Sequence, residues 1–172
     1  SILKSYPGPY NNIPHVQTPT HMPDKAQRIR DLTQIPSPIL EGFYDPIMAK
    51  YPKDTSWNLT IETLRGCPYH CSFCDIGHKK YTKIQMFETE KCIKELKWMC
   101  DRNVSAIDVA DSNFGIFPRD EKLVDFVVEQ KKAGNFNGRF MPTWAKTHGD
   151  KIMKLAKKLQ DASVDDTFGF SL

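Results

Sequence analysis

The sequence predicts an α/β fold, namely an incomplete (βα) TIM-like partial barrel with parallel strands, preceded by a proline-rich extended segment. Beyond residue 56, stretches with strand character alternate with amphipathic helical stretches, and this alternation is typical of a parallel sheet with helical crossovers. Before that point lie nine of the twelve prolines, which cannot donate to a sheet ladder. We therefore predict a linker or wrapping segment at residues 1–55 and the N-terminal part of a barrel at residues 56–172.

The proline-rich segment contains one stretch with helical character, Asp24–Gln34, and Asp24 is its candidate N-cap. Ala26, Ile29 and Leu32 stand there at helical spacing. The flanking stretches are rich in proline, so we expect them to be extended and to join no sheet.

The barrel segment alternates four predicted strands with three predicted helices. The strands are Asn58–Leu64, Val104–Ala110, Arg139–Thr143 and Thr167–Leu172, and the helices are Glu88–Arg102, Arg119–Ala133 and Asp150–Gln160. Each helix has an apolar face, and Gly134 is placed to end the second. A complete barrel needs about 250 residues, so we expect the fourth strand to be an exposed edge. The chain is then expected to be a fragment, or one half of a split protein completed by a second polypeptide.

Three of the five cysteines stand within eight residues, directly after the first predicted strand. Cys67, Cys71 and Cys74 form a Cys-x3-Cys-x2-Cys run, and thiolate is a ligand that both zinc and iron–sulfur clusters prefer. A structural zinc site takes four protein ligands, whereas a 4Fe-4S cluster held by three cysteines leaves one iron open to a substrate. We favour the cluster, and a zinc knuckle completed by His70 or His78 is the alternative.

The other two cysteines are predicted to be core residues. Cys92 and Cys100 share the apolar stripe of the first predicted helix with Ile93, Leu96 and Met99, and free cysteine packs as a small apolar residue. Five cysteines without a disulfide pattern fit a reducing compartment, and we expect the cytoplasm.

The cysteine loop also resembles a known family. Residues Arg65–Gly77, RGCPYHCSFCDIG, are similar to the cluster loop of the radical S-adenosylmethionine superfamily. The later Asp111–Ile116, DSNFGI, Arg119 with Asp120, and the upstream Ile35–Pro38 resemble the branch whose members often carry a cobalamin-binding domain ahead of the barrel. The resemblance runs from about Leu32 to the end of the chain.

This resemblance implies an enzyme whose 4Fe-4S cluster donates one electron to bound S-adenosylmethionine. The sulfonium bond then breaks to give methionine and a 5′-deoxyadenosyl radical, for cobalamin-dependent methylation or rearrangement of an unidentified substrate. Cobalamin itself has no motif here, since an Asp-x-His-x-x-Gly run is missing from the sequence. A non-catalytic zinc or iron–sulfur binding module, or a fragment that needs a second chain for activity, is the alternative function.

The resemblance also implies roles for single residues. Cys67, Cys71 and Cys74 would hold the cluster, Asp111, Ser112 or Asn113 would bind the methionine amino group, and Ser171 would contact the ribose. An aromatic ring suits a flat heterocycle, so Phe73 is a candidate for the adenine, with packing under the loop as its alternative. The alternative for Asp111 is a turn cap on its own backbone.

Two basic residues complete the candidates. Lys146 could reach a substrate carboxylate, although an exposed lysine of no special role is the commoner outcome. Arg65 is expected to brace the cysteine loop. Because loops at the carboxyl ends of parallel strands meet at one rim, we expect the cysteine loop, residues 111–113, residues 143–146 and Ser171 to converge.

The composition of the chain limits the classes of partner that the sequence predicts. The formal net charge of +3 is too small to indicate nucleic acid, and the sequence contains no apolar run long enough to span a membrane. The expected partners are a small-molecule or peptide substrate and, from the resemblance, an electron donor such as flavodoxin or ferredoxin.

Overall fold

The structure is a computed structural model, and it describes residue 29, residues 31–74 and residues 83–164. The chain divides into two units, Ser1–Arg30 and Asp31–Leu172, and all that follows concerns the second. The predicted cap at Asp24, the predicted strand Thr167–Leu172 and the candidate Ser171 lie outside the described residues.

The described chain contains five strands and four helices of α type. The strands are β1 (Asn58–Ile61), β2 (Leu64–Arg65), β3 (Gln85–Met86), β4 (Ala106–Phe114) and β5 (Arg139–Trp144). The helices are α1 (Asp45–Met48), α2 (Thr89–Asp101), α3 (Pro118–Lys132) and α4 (Gly149–Asp161), and a single 3-10 turn precedes them at Leu32–Gln34.

Strands β1, β4 and β5 form a parallel sheet in the order β1-β4-β5. Asn58 aligns with Ala106 and Ala106 with Arg139, so the three strands begin at the same level. Helices α2 and α3 connect successive parallel strands, which is the βαβ arrangement. The predicted α/β fold, an open parallel sheet consistent with a partial barrel, is therefore confirmed.

The helices bury the faces that their periodicity predicts. Helix α4 buries Ile152, Leu155, Ala156 and Leu159. Helix α2 buries Cys92 and Cys100 at 0% exposure, which confirms both cysteines as core residues. Gly134 follows the end of α3 with φ +76°, a left-handed conformation that glycine adopts at low cost and that ends the helix as predicted.

Two predicted boundaries are wrong. The first predicted strand, Asn58–Leu64, is split, since β1 ends at Ile61 and Leu64 starts a separate strand β2. The second predicted strand ends at Ala110, whereas β4 continues to Phe114. Apolar periodicity misses this extension because the added positions include the polar Asp111 and Asn113, which are nevertheless buried.

The segment before β1 packs on the sheet rather than standing apart from it. Leu32 and Ile39 are buried in the same apolar core as Ile61. Lys91 of α2 donates to the carbonyl of Ile35 at 2.9 Å. The predicted division at residues 55 and 56 stays a prediction. None of the helices in the described ranges is both long and apolar enough to cross a lipid bilayer.

Candidate metal centre

The cysteine loop is closed at its base by a short antiparallel ladder. Strand β2 pairs with β3, with Leu64 opposite Met86 and Arg65 opposite Gln85. The amide of Phe87 extends the ladder by donating to the carbonyl of Thr63 at 3.0 Å. The residues between β2 and β3, which include all three loop cysteines, therefore leave and re-enter the fold at neighbouring points.

Asp111 of β4 anchors the first end of that loop. Its carboxylate, only 1% exposed, accepts hydrogen bonds from the amides of Thr63 at 2.7 Å and Leu64 at 3.0 Å. The Thr63 hydroxyl also donates to it. Burial raises the pKa of Asp111, and these hydrogen bonds oppose that shift only in part. Asp111 therefore caps the backbone just before the cysteine loop, at Thr63 and Leu64, and not its own backbone.

Arg119 of α3 joins the two ends of the loop. One terminal nitrogen donates to the carbonyl of Thr63 at 2.6 Å and the other to the carbonyl of Phe87. The planar guanidinium can reach two acceptors at once in a fixed geometry. The next residue, Asp120, accepts from the amides of Gly115 and Phe117, both at 2.9 Å, and so orders the turn that follows β4.

The three loop cysteines are all free thiols. Cys67 is 8% exposed and Cys71 and Cys74 are half-buried, and a turn joins them through the Cys74 amide and the Cys71 carbonyl at 3.1 Å. Within the described ranges, no three His, Cys, Asp or Glu side chains surround a common point closely enough to hold one metal ion. A cluster makes a different demand, because each of its cysteines binds a separate iron.

Asn113 lies directly beside the innermost cysteine. Its side-chain oxygen Oδ1 is 3.5 Å from Cys67 Sγ, and the residue is 3% exposed. Its Nδ2 is buried and has no hydrogen-bond partner among the residues that the structure describes. Such an amide places an unused donor next to a thiol that the loop pattern predicts to be a metal ligand.

The loop after β5 reaches the cysteine loop from the other side. The Tyr69 hydroxyl is hydrogen-bonded to Thr147 Oγ1, and Thr147 Oγ1 is 2.9 Å from His148 Nδ1. Lys146 Nζ lies 4.6 Å from the centre of the Phe73 ring, which is within the range of a cation–π contact. Phe73 itself is 74% exposed, so its ring does not pack beneath the loop.

The structure thus brings three of the four predicted regions to one rim. The cysteine loop contacts β4 through Cys67 and Asn113, and it contacts the loop after β5 through Tyr69 and Thr147. Ser112 is half-buried between Asp111 and Asn113. The fourth region, Ser171, lies outside the described residues. The assignment of these residues to S-adenosylmethionine stays a prediction.

Sequence reasoning missed the groups that hold the loop in place. In the sequence, Thr63 stands out only as part of a predicted strand and Tyr69 only as part of the cysteine motif. No sequence pattern points to Thr147. Arg119 was part of the family pattern without a role. One sequence pattern hints at the role of this helix start. Arg119 and Asp120 are adjacent there, and an acidic residue is favourable in the first turn of a helix.

Two methyltransferases among known proteins are similar to this chain. No family model matches the chain. The chain is 32% identical over 141 residues to the cobalamin-dependent radical SAM methyltransferase TokK of Streptomyces tokunonensis. This chain resembles the radical S-adenosylmethionine superfamily, as its cysteine loop predicts. It is also 31% identical over 140 residues to a 2-(S-pantetheinyl)-carbapenam-3-carboxylate methyltransferase of Streptantibioticus cattleyicolor.

The radical S-adenosylmethionine resemblance covers most of this chain but a small part of each relative. Each match includes 81% of this chain and 21% of the relative. The chain therefore spans about a fifth of the length of these curated relatives. The similarity to TokK supports the resemblance to the cobalamin-associated branch that the sequence motifs indicated.

Proposed function

We propose that this chain is the cluster-binding part of a radical S-adenosylmethionine enzyme, with Cys67, Cys71 and Cys74 as the ligands of a 4Fe-4S cluster. This proposal depends on the geometry of the cysteine loop, in which three free thiols lie between the paired strands β2 and β3. The similarity to TokK over 141 residues supports it.

The chemistry of the loop fits such a cluster. Three thiols and no disulfide are what a cluster with one open iron requires. The buried Nδ2 of Asn113 beside Cys67 lacks a partner in the described part of the chain, and a ligating sulfur is an acceptor for it. When bound and reduced, the cluster supplies one electron that cleaves S-adenosylmethionine to methionine and a 5′-deoxyadenosyl radical.

The chain's own residues hold and orient the reactants. Asp111 and Arg119 keep both ends of the cysteine loop in place, so the thiolates are positioned before S-adenosylmethionine arrives, which lowers the entropic part of the barrier. Phe73 offers an exposed ring for the adenine, and Lys146 over that ring supplies a positive charge at the rim. The candidates for the methionine amino group are Asp111, Ser112 and Asn113, of which Asp111 already accepts hydrogen bonds from Thr63 and Leu64.

We further propose a cobalamin-dependent methyl transfer as the reaction class, since TokK is described as a cobalamin-dependent radical SAM methyltransferase. The substrate is left open, because neither the fold nor the cofactor determines it. We also propose flavodoxin or ferredoxin as the electron donor and a second polypeptide that completes the barrel. We propose a cytoplasmic location, which five free cysteines favour.

Anaerobic reconstitution with iron and sulfide tests the cluster. We expect about four irons per chain, as a 4Fe-4S cluster requires, and production of 5′-deoxyadenosine when S-adenosylmethionine and dithionite are added. Cys71→Ala should lose most of the iron and all detectable cleavage, because one of three ligands is gone. The measurements are iron and sulfide content and quantification of 5′-deoxyadenosine by mass spectrometry.

Cys92→Ala is the matched control, since it removes a thiol from the core of α2. Burial raises the pKa of Cys92 to about 11, so this thiol stays protonated and should not bind iron. It should reconstitute like the unmodified chain. Iron content unchanged by Cys71→Ala would reject the three-cysteine ligation of the cluster. Uptake of zinc with no iron would reject the cluster and favour the zinc knuckle.

A further inference from the structure

The side chain of Asn113 is placed with its acceptor toward Cys67 and its donor unused. Oδ1 is 3.5 Å from Cys67 Sγ, which suits a protonated thiol that donates to the amide oxygen. The second acceptor near this sulfur is the carbonyl of Tyr69 at 3.9 Å. Both hydrogen-bond partners of this sulfur in the described part of the chain are therefore acceptors.

Iron ligation reverses the requirement at this sulfur. Iron takes the place of the thiol proton, and the sulfur then accepts hydrogen bonds but donates none. The carbonyl of Tyr69 cannot become a donor. The carboxamide of Asn113 can, because a half-turn about its last side-chain bond exchanges oxygen and nitrogen in nearly the same volume.

The same half-turn also gives the unused donor of Asn113 a partner. Nδ2 of Asn113 is buried without a partner in the described chain, and a buried donor that makes no hydrogen bond is unfavourable. Turned toward Cys67, it gains an acceptor that carries negative charge, and hydrogen bonds to charged groups are the stronger ones. Asp111 cannot take this role, since its oxygens accept from Thr63 and Leu64.

We propose that Asn113 is a positioning residue that donates an N–H from its carboxamide to the Cys67 sulfur in the cluster-bound chain and so raises the reduction potential of the cluster. Reduction adds negative charge to the sulfurs, so a donor to one of them stabilises the reduced form more than the oxidised form. This inference rests on the proposed function, because it requires iron at Cys67. This hydrogen bond to the Cys67 sulfur is a different role from a contact between Asn113 and the methionine amino group.

A redox titration of the reconstituted full chain, followed by electron paramagnetic resonance without S-adenosylmethionine, tests this. Asn113→Leu removes the donor at similar volume and leaves all three cysteines intact, so iron content should match the unmodified chain. We expect the reduced-to-oxidised ratio at a fixed potential to fall about tenfold, which is 59 mV for one electron. Asn113→Asp should lower it further, because a carboxylate adds charge beside the sulfur.

Asn135→Leu is the control, since Asn135 lies in an exposed hydrogen bond with Gln130. Its midpoint should equal that of the unmodified chain. A variant of Asn113 that fails to fold would not decide the matter, so a second measurement uses the unmodified sequence. With 15N-labelled asparagine, pulsed electron paramagnetic resonance of the reduced cluster should detect a 15N coupling, and its absence would overturn the proposal.

The outcomes separate this proposal from the proposed function. If the unmodified chain takes up no iron, the cluster assignment fails and this inference fails with it. If iron is bound but Asn113→Leu leaves the midpoint unchanged, only this inference is rejected. Weaker S-adenosylmethionine binding by Asn113→Leu at an unchanged midpoint would assign Asn113 to the methionine amino group instead.

Discussion

Asp111 shows how one buried residue can determine the position of a distant loop. Its carboxylate accepts from two successive amides, at Thr63 and Leu64, that lie 48 and 47 residues earlier in the chain. A buried carboxylate is favourable only when hydrogen bonds replace its lost hydration. The residue therefore stabilises the backbone at the start of β2, at the cost of its own desolvation, and burial raises its pKa.

This raised pKa predicts a pH dependence of stability. A carboxyl group whose folded pKa exceeds its unfolded value binds its proton first in the folded state, so its contribution is fully present below the unfolded pKa and is lost as pH rises through the folded pKa. Asp111→Asn removes this titration. We expect the difference in unfolding free energy, unmodified chain minus variant, to increase as pH falls from 7 toward 4.

Urea denaturation of both proteins at several pH values measures this difference. Other buried carboxyls, such as Asp120 and Glu95, occur in both proteins and cancel. One proton limits the slope to about 1.4 kcal/mol per pH unit. A difference that shrinks on acidification would show that the three hydrogen bonds outweigh burial and hold the pKa of Asp111 below its ordinary value.

At the scale of elements, the cysteine loop between β2 and β3 depends on a staple, the pair of hydrogen bonds that Arg119 donates to its two ends. Two strands of two residues each could not hold the loop in place alone. Such a short ladder is unstable without support. Arg119 supplies it from α3 by donating to carbonyls at both ends of the loop. The position of the cysteines thus depends on a helix that follows them by more than forty residues.

Arg119→Lys should loosen this staple. Lysine keeps the charge, but a single ammonium cannot reach two carbonyls in the geometry of a planar guanidinium. We expect the free energy of unfolding to fall by about 1–3 kcal/mol, since one buried acceptor loses its partner. The amide of Phe87, which donates to Thr63, should exchange its hydrogen faster in the variant, as measured by NMR.

Arg102→Lys is the matched control for that experiment. Arg102 pairs with Asp45 at 2.6 Å and covers the ring of Trp98, but it contacts neither end of the cysteine loop in the described contacts. Its replacement should leave the exchange rate of Phe87 unchanged. Equal rates at Phe87 in the Arg119 and Arg102 variants would contradict the role of Arg119 as a staple.

At the scale of the whole molecule, three successive βα units bring their loops to one edge of the sheet. The cysteine loop between β2 and β3 meets β4 at Asn113, and it meets the loop after β5 at Thr147. Beyond α4 the chain returns to the sheet, where the Phe140 amide donates to the carbonyl of Val164 at 3.1 Å. A ligand at this rim would therefore join elements from the whole described sheet.

Cluster binding should consequently stabilise the entire fold. A ligand that binds only the native state adds RT ln(1 + [L]/Kd), about 2.7 kcal/mol at a hundredfold excess over Kd. We expect removal of iron by a chelator to lower the Tm of the reconstituted chain in calorimetry. The Tm of Cys71→Ala, which lacks a ligand, should not respond, and an unchanged Tm in the unmodified chain would argue against a cluster coupled to the fold.

The sequence by itself determined the fold class, the faces of α2, α3 and α4, and the cysteine loop with its family resemblance. These features are local: apolar periodicity, a glycine at a helix end and a Cys-x3-Cys-x2-Cys run can each be read within a few turns of chain. Cys92 and Cys100 were separated from the loop cysteines on this basis alone, and their burial confirms it.

Only the tertiary structure decided how the loop is held. The hydrogen bonds from Thr63 to Asp111, from Arg119 to Phe87 and from Cys67 to Asn113 join residues 32 to 48 positions apart. The groups involved are mainly backbone carbonyls and amides that every residue possesses. No residue type by itself predicts such a hydrogen-bonded pair. It becomes visible once parallel strands align their carboxyl ends, because buried polar groups must then find partners across the sheet.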